Sequence, residues 1–278
     1  MYLITGATGV VGRPLVDLLA ANGAAVRAVT RDPATAGLPT GVDTVAEPDF
    51  TGVTAVFLNP RAVGLGAADL LARAADHGVR RVVALSATNV DEPLDHQPSR
   101  FNGDRNKEVE AAAVASGLEW VSLRAAYFAI NTVYSWGGQL RGGDTVHAPF
   151  PTAAESPIGE RDLAAVAAHA LAADDLVGSK LVLTGPESLT HEELVATIGS
   201  VLGRPLRFTA VSSAAAAAGM IAAGHAEPFV AALMARYERE AGRPAHVSGD
   251  VEKVLGRPAH TFAEWVADHA TDFARAAR

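Results

Sequence analysis

Three glycines at positions 6, 9 and 12, set between an apolar run and a helical run, constrain this chain more than any other feature. Met1-Tyr2-Leu3-Ile4-Thr5 reads as a buried strand, and residues 10–21 read as the helix after it. Gly6 permits a tight turn between the two. Gly9, having no Cβ, lets phosphates approach the backbone, and Gly12 lets the helix pack close to the sheet. The helix start offers N–H groups without helical partners and a partial positive charge. Followed by a second strand at residues 25–30, this unit predicts a dinucleotide site. Its expected contacts are Gly6, Thr8, Gly9, Val10, Val11 and Gly12.

Short apolar runs continue at residues 42–46, 54–58, 80–85 and 119–123, with helical stretches at 64–77 and 105–116. Strands alternating with helices predict an α/β fold, a Rossmann-type doubly wound parallel sheet covered on both faces. The pattern loosens after Arg124, where Gly137-Gly138 and Gly142-Gly143 interrupt it. Strands are expected at 145–147, 180–184 and 206–210, and helices at 160–173, 190–202, in two pieces over 212–242, and at 261–277. Residues 1–150 are thus expected to form the dinucleotide-binding domain. Residues 151–278 would form a smaller α+β lobe, interleaved with the first, that covers the substrate.

The second strand ends Ala28-Val29-Thr30-Arg31-Asp32-Pro33. An acidic residue at this tip binds the ribose 2′-hydroxyl of NAD, whereas an arginine accommodates the 2′-phosphate of NADP. A guanidinium suits phosphate because its charge is permanent and its donors are forked. Arg31 therefore favours NADPH, with Arg13 a second cation nearby. A strand one residue longer would put Asp32 at the tip, and NAD is then the alternative.

Composition excludes several classes. The net charge is −8, from 23 basic and 31 acidic side chains, and no basic block or basic–aromatic interleaving occurs, so no nucleic-acid partner is expected. There is no cysteine, which excludes disulfides, a catalytic thiol and thiolate-held metals. The nine histidines are scattered without ligand spacing, and no metal site is expected. The acidic pair Glu192-Glu193 is explained by a capping box, Thr190 with Glu193. No signal-like segment precedes the first strand, and the small-residue run 214–223 is too short to span a bilayer. A cytoplasmic protein without a membrane partner is expected, and nothing indicates a homo-oligomer.

Thr5-Gly6-Ala7-Thr8-Gly9-Val10-Val11-Gly12 resembles the fingerprint of the extended and atypical short-chain dehydrogenases/reductases. Further segments resemble their NmrA-like branch, particularly its NAD(P)H-binding, quinone-oxidoreductase-like members. These are Val26-Arg27-Ala28-Val29-Thr30-Arg31-Asp32-Pro33, Ser116-Gly117-Leu118-Glu119-Trp120-Val121-Ser122-Leu123-Arg124, Asp162-Leu163-Ala164-Ala165-Val166-Ala167, Leu202-Gly203-Arg204-Pro205 and Thr261-Phe262-Ala263-Glu264-Trp265. The resemblance covers nearly the whole chain. It implies an adenine-side contact near Asp49 and Phe50, and cofactor contacts at Leu58, Asn59 and Pro60 and at Ser86, Ala87 and Thr88. Each of these segments is a strand end, and ligands on open α/β sheets sit outside the carboxyl ends of the strands.

Typical short-chain reductases carry a Tyr-x-x-x-Lys pair on the helix after the fifth strand. Aligned through Glu110 and Gly117-Leu118, this sequence has Asn102 at the tyrosine position and Asn106 at the lysine position. An amide cannot do acid–base work. Asn106 remains a cofactor contact. Lys107 is rotated by about 100° from the lysine position on a helix, yet it is the nearest candidate for the ribose. Ser86, Tyr127 and Lys107 are the candidate catalytic residues, and Tyr134 and His147 are further proton-donor candidates. Thr88, Tyr127, Phe128, Asn131 and Tyr134 are expected on the substrate side, Asn131 matching a recurring asparagine of the branch.

An electron-poor acceptor stabilises incoming charge itself, so the missing pair favours quinone-like or conjugated carbonyl substrates. The expected activity is NADPH-dependent hydride transfer to such a small, apolar molecule. Two alternatives stand beside it. One is a non-catalytic NADP(H)-binding redox sensor acting through a protein partner. The other is a biosynthetic isomerase, dehydratase or epimerase that uses the cofactor without net redox.

Overall fold

In the computed structural model, which describes residues 1–274, the first half runs β1 (Tyr2–Thr5), α1 (Gly12–Ala21), β2 (Val26–Val29), β3 (Asp43–Val45), β4 (Ala55–Leu58), α2 (Pro60–Val63), α3 (Ala67–Asp76), β5 (Arg81–Ala87), α4 (Asn106–Ala115) and β6 (Glu119–Ala125). There follow α5 (Gly138–Gly142), β7 (Thr145–Ala148), β8 (Ala154–Glu155), α6 (Glu160–Ala172), β9 (Ser179–Leu183), β10 (Leu189–Thr190) and α7 (His191–Leu202). The chain ends with β11 (Arg207–Ala210), α8 (Ser213–Ala222), α9 (Glu227–Glu240), α10 (Asp250–Leu255) and α11 (Phe262–Asp268).

Seven strands form one parallel sheet in the order β3-β2-β1-β4-β5-β6-β9. Its central strands β1 and β4 are almost wholly apolar because both faces are covered. Ile4, Phe57, Val83 and Leu123 point to the layer of α1 and α6, where they meet Leu15, Val16, Leu163 and Val166. Their neighbours Leu3, Val56, Val82 and Ala84 point to the layer of α3 and α4, against Leu71, Ala74, Val109 and Ala113. The strand order reverses between β1 and β4, which opens a crevice at their carboxyl ends.

The later residues do not stand apart. β9 pairs with β6, Val121 opposite Ser179, and α6 packs on α1. Residue 150 is therefore no spatial seam. The remaining elements build a cover with its own cores, one around Trp136, Leu194, Ile198 and Trp265, another around Val230, Met234 and Tyr237. Here β7 pairs in parallel with β11, and β8 antiparallel with β10. The capping box forms as expected: Glu193 N–H donates to Thr190 Oγ1 (3.2 Å) and Thr190 N–H donates to Glu193 Oε2 (2.8 Å). Among the described residues no helix is long and apolar enough to cross a membrane.

Three expectations need correction. The helix expected over 261–277 ends at Asp268, where His269 stacks on Trp265 at 4.1 Å and a single tight turn, Ala270–Phe273, follows. Residues 275–277 lie outside the described residues. The helix expected from residue 64 starts at Ala67, behind the short α2, whose first residue is Pro60 and whose cap is Asn59. Asn102 does not share a helix with Asn106. It closes the turn Pro98–Asn102, and Gly103, at φ 99°, breaks the path to α4. The spacing of the missing Tyr-x-x-x-Lys pair is therefore lost along with its residue types.

Candidate active site

The carboxyl ends of the sheet open into a cleft of about 2160 Å³, roofed by α8, α9 and the segment after β6. Its floor begins with the glycine turn. Gly6 has φ 62°, and a Cβ there would lie 2.9 Å from Asn59 Cβ. A Cβ on Gly12 would lie 2.1 Å from Gly6 O, so that glycine is demanded by the turn itself, not by the helix–sheet contact expected of it. The helical ladder begins with Arg13 N–H donating to Gly9 O (3.0 Å), so the amides just before it form the positive end of α1. Thr5 ties the crevice together: its Oγ1 donates to Phe57 O (2.9 Å) and accepts from Asn59 N–H (2.8 Å).

Gly6, Thr8, Gly9, Val10 and Val11 all line this cleft, as do Asn59 and Pro60 from the end of β4. Ser86, Ala87 and Thr88 line it at the end of β5, with Asn106 at the start of α4. Tyr127, Phe128, Asn131, Tyr134 and His147 form the wall beyond β6. Gly12 and Leu58 lie behind this surface; Leu58 is wholly buried. Asp49 and Phe50 are not on it. Asp49 turns to Arg27 (3.0 Å) and Thr51, Phe50 packs under α3, and Ala46, Glu47 and Pro48 line the cleft in their place. Lys107 is exposed on α4 and outside the lining, so the ribose contact expected of it has no support in the fold.

At the tip of β2 the cleft continues into a side pocket of about 370 Å³ lined by Thr8, Arg13, Thr30, Arg31 and Asp32. Asp32 is occupied by its own loop, accepting from Ala34 N–H (3.2 Å) and Thr35 Oγ1 (2.7 Å). Arg13 donates to the carbonyls of Ala36 and Gly37. Arg31 is exposed and, among the described residues, makes no hydrogen bond or ion pair.

Ser86 sits against a structural glutamate. Burial pushes the Glu110 carboxyl up, but Arg124 and the Ser122 hydroxyl outweigh it and hold it down to about 2, while the nearby buried Ser86 Oγ has no hydrogen-bond partner among the described residues. Burial pushes the Tyr127 hydroxyl well above the usual tyrosine range, and Tyr237 and Glu155 add to that. Tyr127 is thus a poor acid. Asn106 donates through Nδ2 to Ser99 Oγ (3.3 Å), and Tyr134 is largely exposed.

Sequence reasoning missed a buried ionic cluster in the same cleft. Glu155, at the end of β8, is 3 % exposed. Its Oε2 accepts from Arg236 Nη2 at 2.5 Å, and its Oε1 has no partner among the described residues. Arg236 Nε also donates to Glu240 Oε1 (3.0 Å). Burial pushes the Glu155 carboxyl up to about 7, with Arg236 opposing and Glu240 adding. His191, edge-on to Tyr237 (4.6 Å) and Trp136 (5.7 Å), is held neutral by burial, its value pushed down to about 4. Arg236-Tyr237-Glu238-Arg239-Glu240 reads as a solvated helix face, although Val230, Met234 and Tyr237 recur at helical spacing and mark a buried stripe. Among the described residues no three His, Asp or Glu gather as a metal site.

The residues present fit a dinucleotide. The turn has no side chain where the backbone must meet phosphate, and a helix start and a free guanidinium lie along one continuous cleft. Residues 6–174 match the NAD(P)H-binding family. The chain is 36% identical over 291 residues to the (4-alkanoyl-5-oxo-2,5-dihydrofuran-3-yl)methyl phosphate reductase of Streptomyces griseus, covering 99% of each chain. It is 30% identical to the NAD(P)H azoreductase of Xenophilus azovorans, covering 99% of this chain and 100% of that one. In fold it is similar to an NADPH-dependent quinone oxidoreductase of Escherichia coli complexed with NADPH, with TM-score 0.80, 22% identity, and 97% and 100% of the two chains covered. The protein is an NAD(P)H-dependent oxidoreductase, and it belongs to the NAD(P)H-binding family, in the NmrA-like branch of the atypical short-chain dehydrogenases/reductases.

Proposed function

We propose that the cofactor is NADPH and that the acceptor is a small, apolar, electron-poor molecule, a quinone or a conjugated carbonyl. One observation carries the cofactor choice. Arg31 is the free cation at the tip of β2, while Asp32 is spent on its own loop. A 2′-phosphate in the side pocket would meet a permanent, uncommitted charge, whereas the ribose 2′-hydroxyl of NAD would find no free carboxylate there. The N–H groups at the start of α1 would hold the pyrophosphate, and Asn59, Ser86, Ala87 and Asn106 would flank the path to the nicotinamide. When bound, the cofactor supplies a hydride.

The acceptor class rests on the cleft wall beyond β6, where Tyr127, Phe128, Trp136, Phe229, Leu233 and Met234 leave an apolar surface. Asn131 and Thr88 would orient the acceptor's oxygens. The name of the S. griseus relative describes a methyl phosphate on an oxo-dihydrofuran that carries an alkanoyl group; its ring supports a conjugated acceptor, while its phosphate is a charged group outside the apolar class.

Arg31→Ala is expected to weaken NADPH binding about 10- to 100-fold while leaving NADH within about twofold, read by titration calorimetry. Equal losses for both cofactors would remove the assignment. Cofactor oxidation against quinones, enones and simple ketones tests the acceptor class. Tight cofactor binding without turnover would return the protein to the sensor reading, and substrate conversion without cofactor oxidation to the non-redox one.

A further inference from the structure

We propose that Glu155 is the catalytic acid of this protein, delivering from Oε1 the proton that its relatives with a Tyr-x-x-x-Lys pair take from tyrosine. The inference rests on the reductase reading above and adds to it the proton half of the reaction.

The fold sets Glu155 in the wall of the cleft beyond β6. Just past the carboxyl end of β6, Tyr127 O accepts from Ile158 N–H (2.9 Å), and Ile158 O accepts from Ala129 N–H (3.0 Å). Ile158, three residues after Glu155, is thereby laced to the apolar wall on which the proposed acceptor would lie. A Cβ on Gly185 would lie 2.0 Å from Pro157 O, so the end of β9 presses against the same segment and fixes it. Glu155 and Ser156 both line the cleft.

The chemistry of the carboxyl follows from its neighbours. The charged and titratable groups around it are Arg236, Tyr237 and Glu240 on α9, Tyr127 after β6 and His191 at the start of α7. His191 is neutral, and burial also keeps both tyrosines protonated. One guanidinium thus serves two carboxylates, Glu155 at 2.5 Å and Glu240 at 3.0 Å. With both carboxylates ionised the buried cluster carries a net negative charge, and a single proton neutralises it. Among the described residues two buried carboxylate oxygens of the cluster lack a partner, Glu155 Oε1 and Glu240 Oε2, and the proton belongs on the deeper side chain, Glu155, which is 4% exposed against 37% for Glu240.

Reduction of a conjugated carbonyl adds a hydride to the electron-poor carbon and leaves the electron pair on the enolate. The Oε1–H bond of Glu155 breaks as the new O–H or C–H bond forms on that enolate. The acceptor thus gains two electrons and two hydrogens, and the dinucleotide is oxidised. Glu155 is left as a carboxylate against Arg236, and it regains a proton from solvent after product leaves the open cleft. A carboxyl that titrates near 7 is matched to this duty at neutral pH.

The test begins without cofactor. In protein carrying ¹³C-labelled glutamate side chains, one carboxyl resonance is expected to titrate near pH 7 and to vanish in Glu155→Gln. With cofactor and an enone or quinone, wild-type kcat should fall as pH rises through that value. Glu155→Gln should lose about 100-fold in kcat and lose the pH break, with NADPH affinity unchanged by calorimetry. Glu155→Asp should restore part of the rate and the break. If Glu155→Gln fails to fold, Arg236→Met serves in its place. Without the guanidinium the break should move to higher pH by at least about one unit. A carboxyl titrating near 4, or full turnover with an unchanged break in Glu155→Gln, would overturn the acid role and leave the reductase reading intact. Absence of wild-type turnover with every acceptor would overturn both.

Discussion

Two buried glutamates, each facing an arginine, end in opposite protonation regimes. Glu110, between α4 and β6, accepts from Ser122 Oγ (2.6 Å) and from Arg124 Nε (3.0 Å) and Nη2 (2.6 Å), and it faces Lys180 Nζ at 3.3 Å. Burial pushes its carboxyl up, yet these donors hold it at about 2. Glu155 shows as little surface but lies deeper among protein atoms, and it divides one guanidinium with Glu240, so burial carries it to about 7. Depth of burial and the number of donors available to each carboxylate together set its state. The difference also follows location. Glu110 ties a helix to the sheet and has both oxygens satisfied, whereas Glu155 lines the cleft and keeps one oxygen free.

The comparison breaks first along function. The loss of about 100-fold in kcat expected for Glu155→Gln is the largest effect, and Glu110 should show its importance elsewhere. Among the described residues, Glu110→Ala leaves Arg124 with the exposed Asp91 as its one acidic partner. The expected cost is about 3 kcal/mol of stability, read from urea midpoints at pH 7. A cost under about 1 kcal/mol would mean that water already shares the pair.

The pH dependence of stability sharpens the contrast, because the two signs differ. The folded value of Glu155, about 7, lies above the free carboxyl value of about 4.3. Its contribution is full below the unfolded value and is lost as pH rises through about 7. Glu110, at about 2, contributes stability that is full above the unfolded value and is lost as pH falls toward 2. Urea midpoints at about pH 3, 5.5 and 8 should show Glu155→Gln relieved of the alkaline loss and Glu110→Ala relieved of the acid loss. Parallel curves for both variants would erase the distinction.

Much of the first half was legible in the sequence, because short apolar runs and glycine punctuation report strands and turns directly. The turn at Gly6, the strand ends at Asn59 and Ser86, and the wall at Tyr127 all lie along one cleft. Asp49 was expected on the cleft because it looks like a strand end, yet it is drawn away from the lining by Arg27 and Thr51. The spacing from Asn102 to Asn106 looked helical because nothing short of the φ of Gly103 announces the break. The ionic cluster was hidden for a different reason. β8 and β10 have two residues each, too few for any periodicity, and they help to bring Glu155 beneath α9 together with a bridge from Ala153 to Ala241. A contact made by distant, aperiodic segments leaves no local pattern, and Arg236 among four other polar residues resembles a solvated helix end.

The smallest expected effect is also the most direct probe of the comparison. If donors per carboxylate help to decide the protonation state, Glu155 should approach Glu110 when its competitor is removed. Glu240→Gln keeps the size of the side chain and a hydrogen-bond acceptor for Arg236 Nε, while deleting the second negative charge. Arg236 then faces Glu155 as the one carboxylate in the cluster. The repulsion that raises Glu155 disappears, and the ionised form gains. The midpoint of the ¹³C titration should fall by about one pH unit, and the break in kcat should follow it downward. At pH 7 a smaller fraction of the enzyme would carry the proton, so kcat should drop by about threefold to tenfold and recover at lower pH. That recovery separates a shifted acid from a damaged fold, because a merely structural loss would lower kcat equally at every pH.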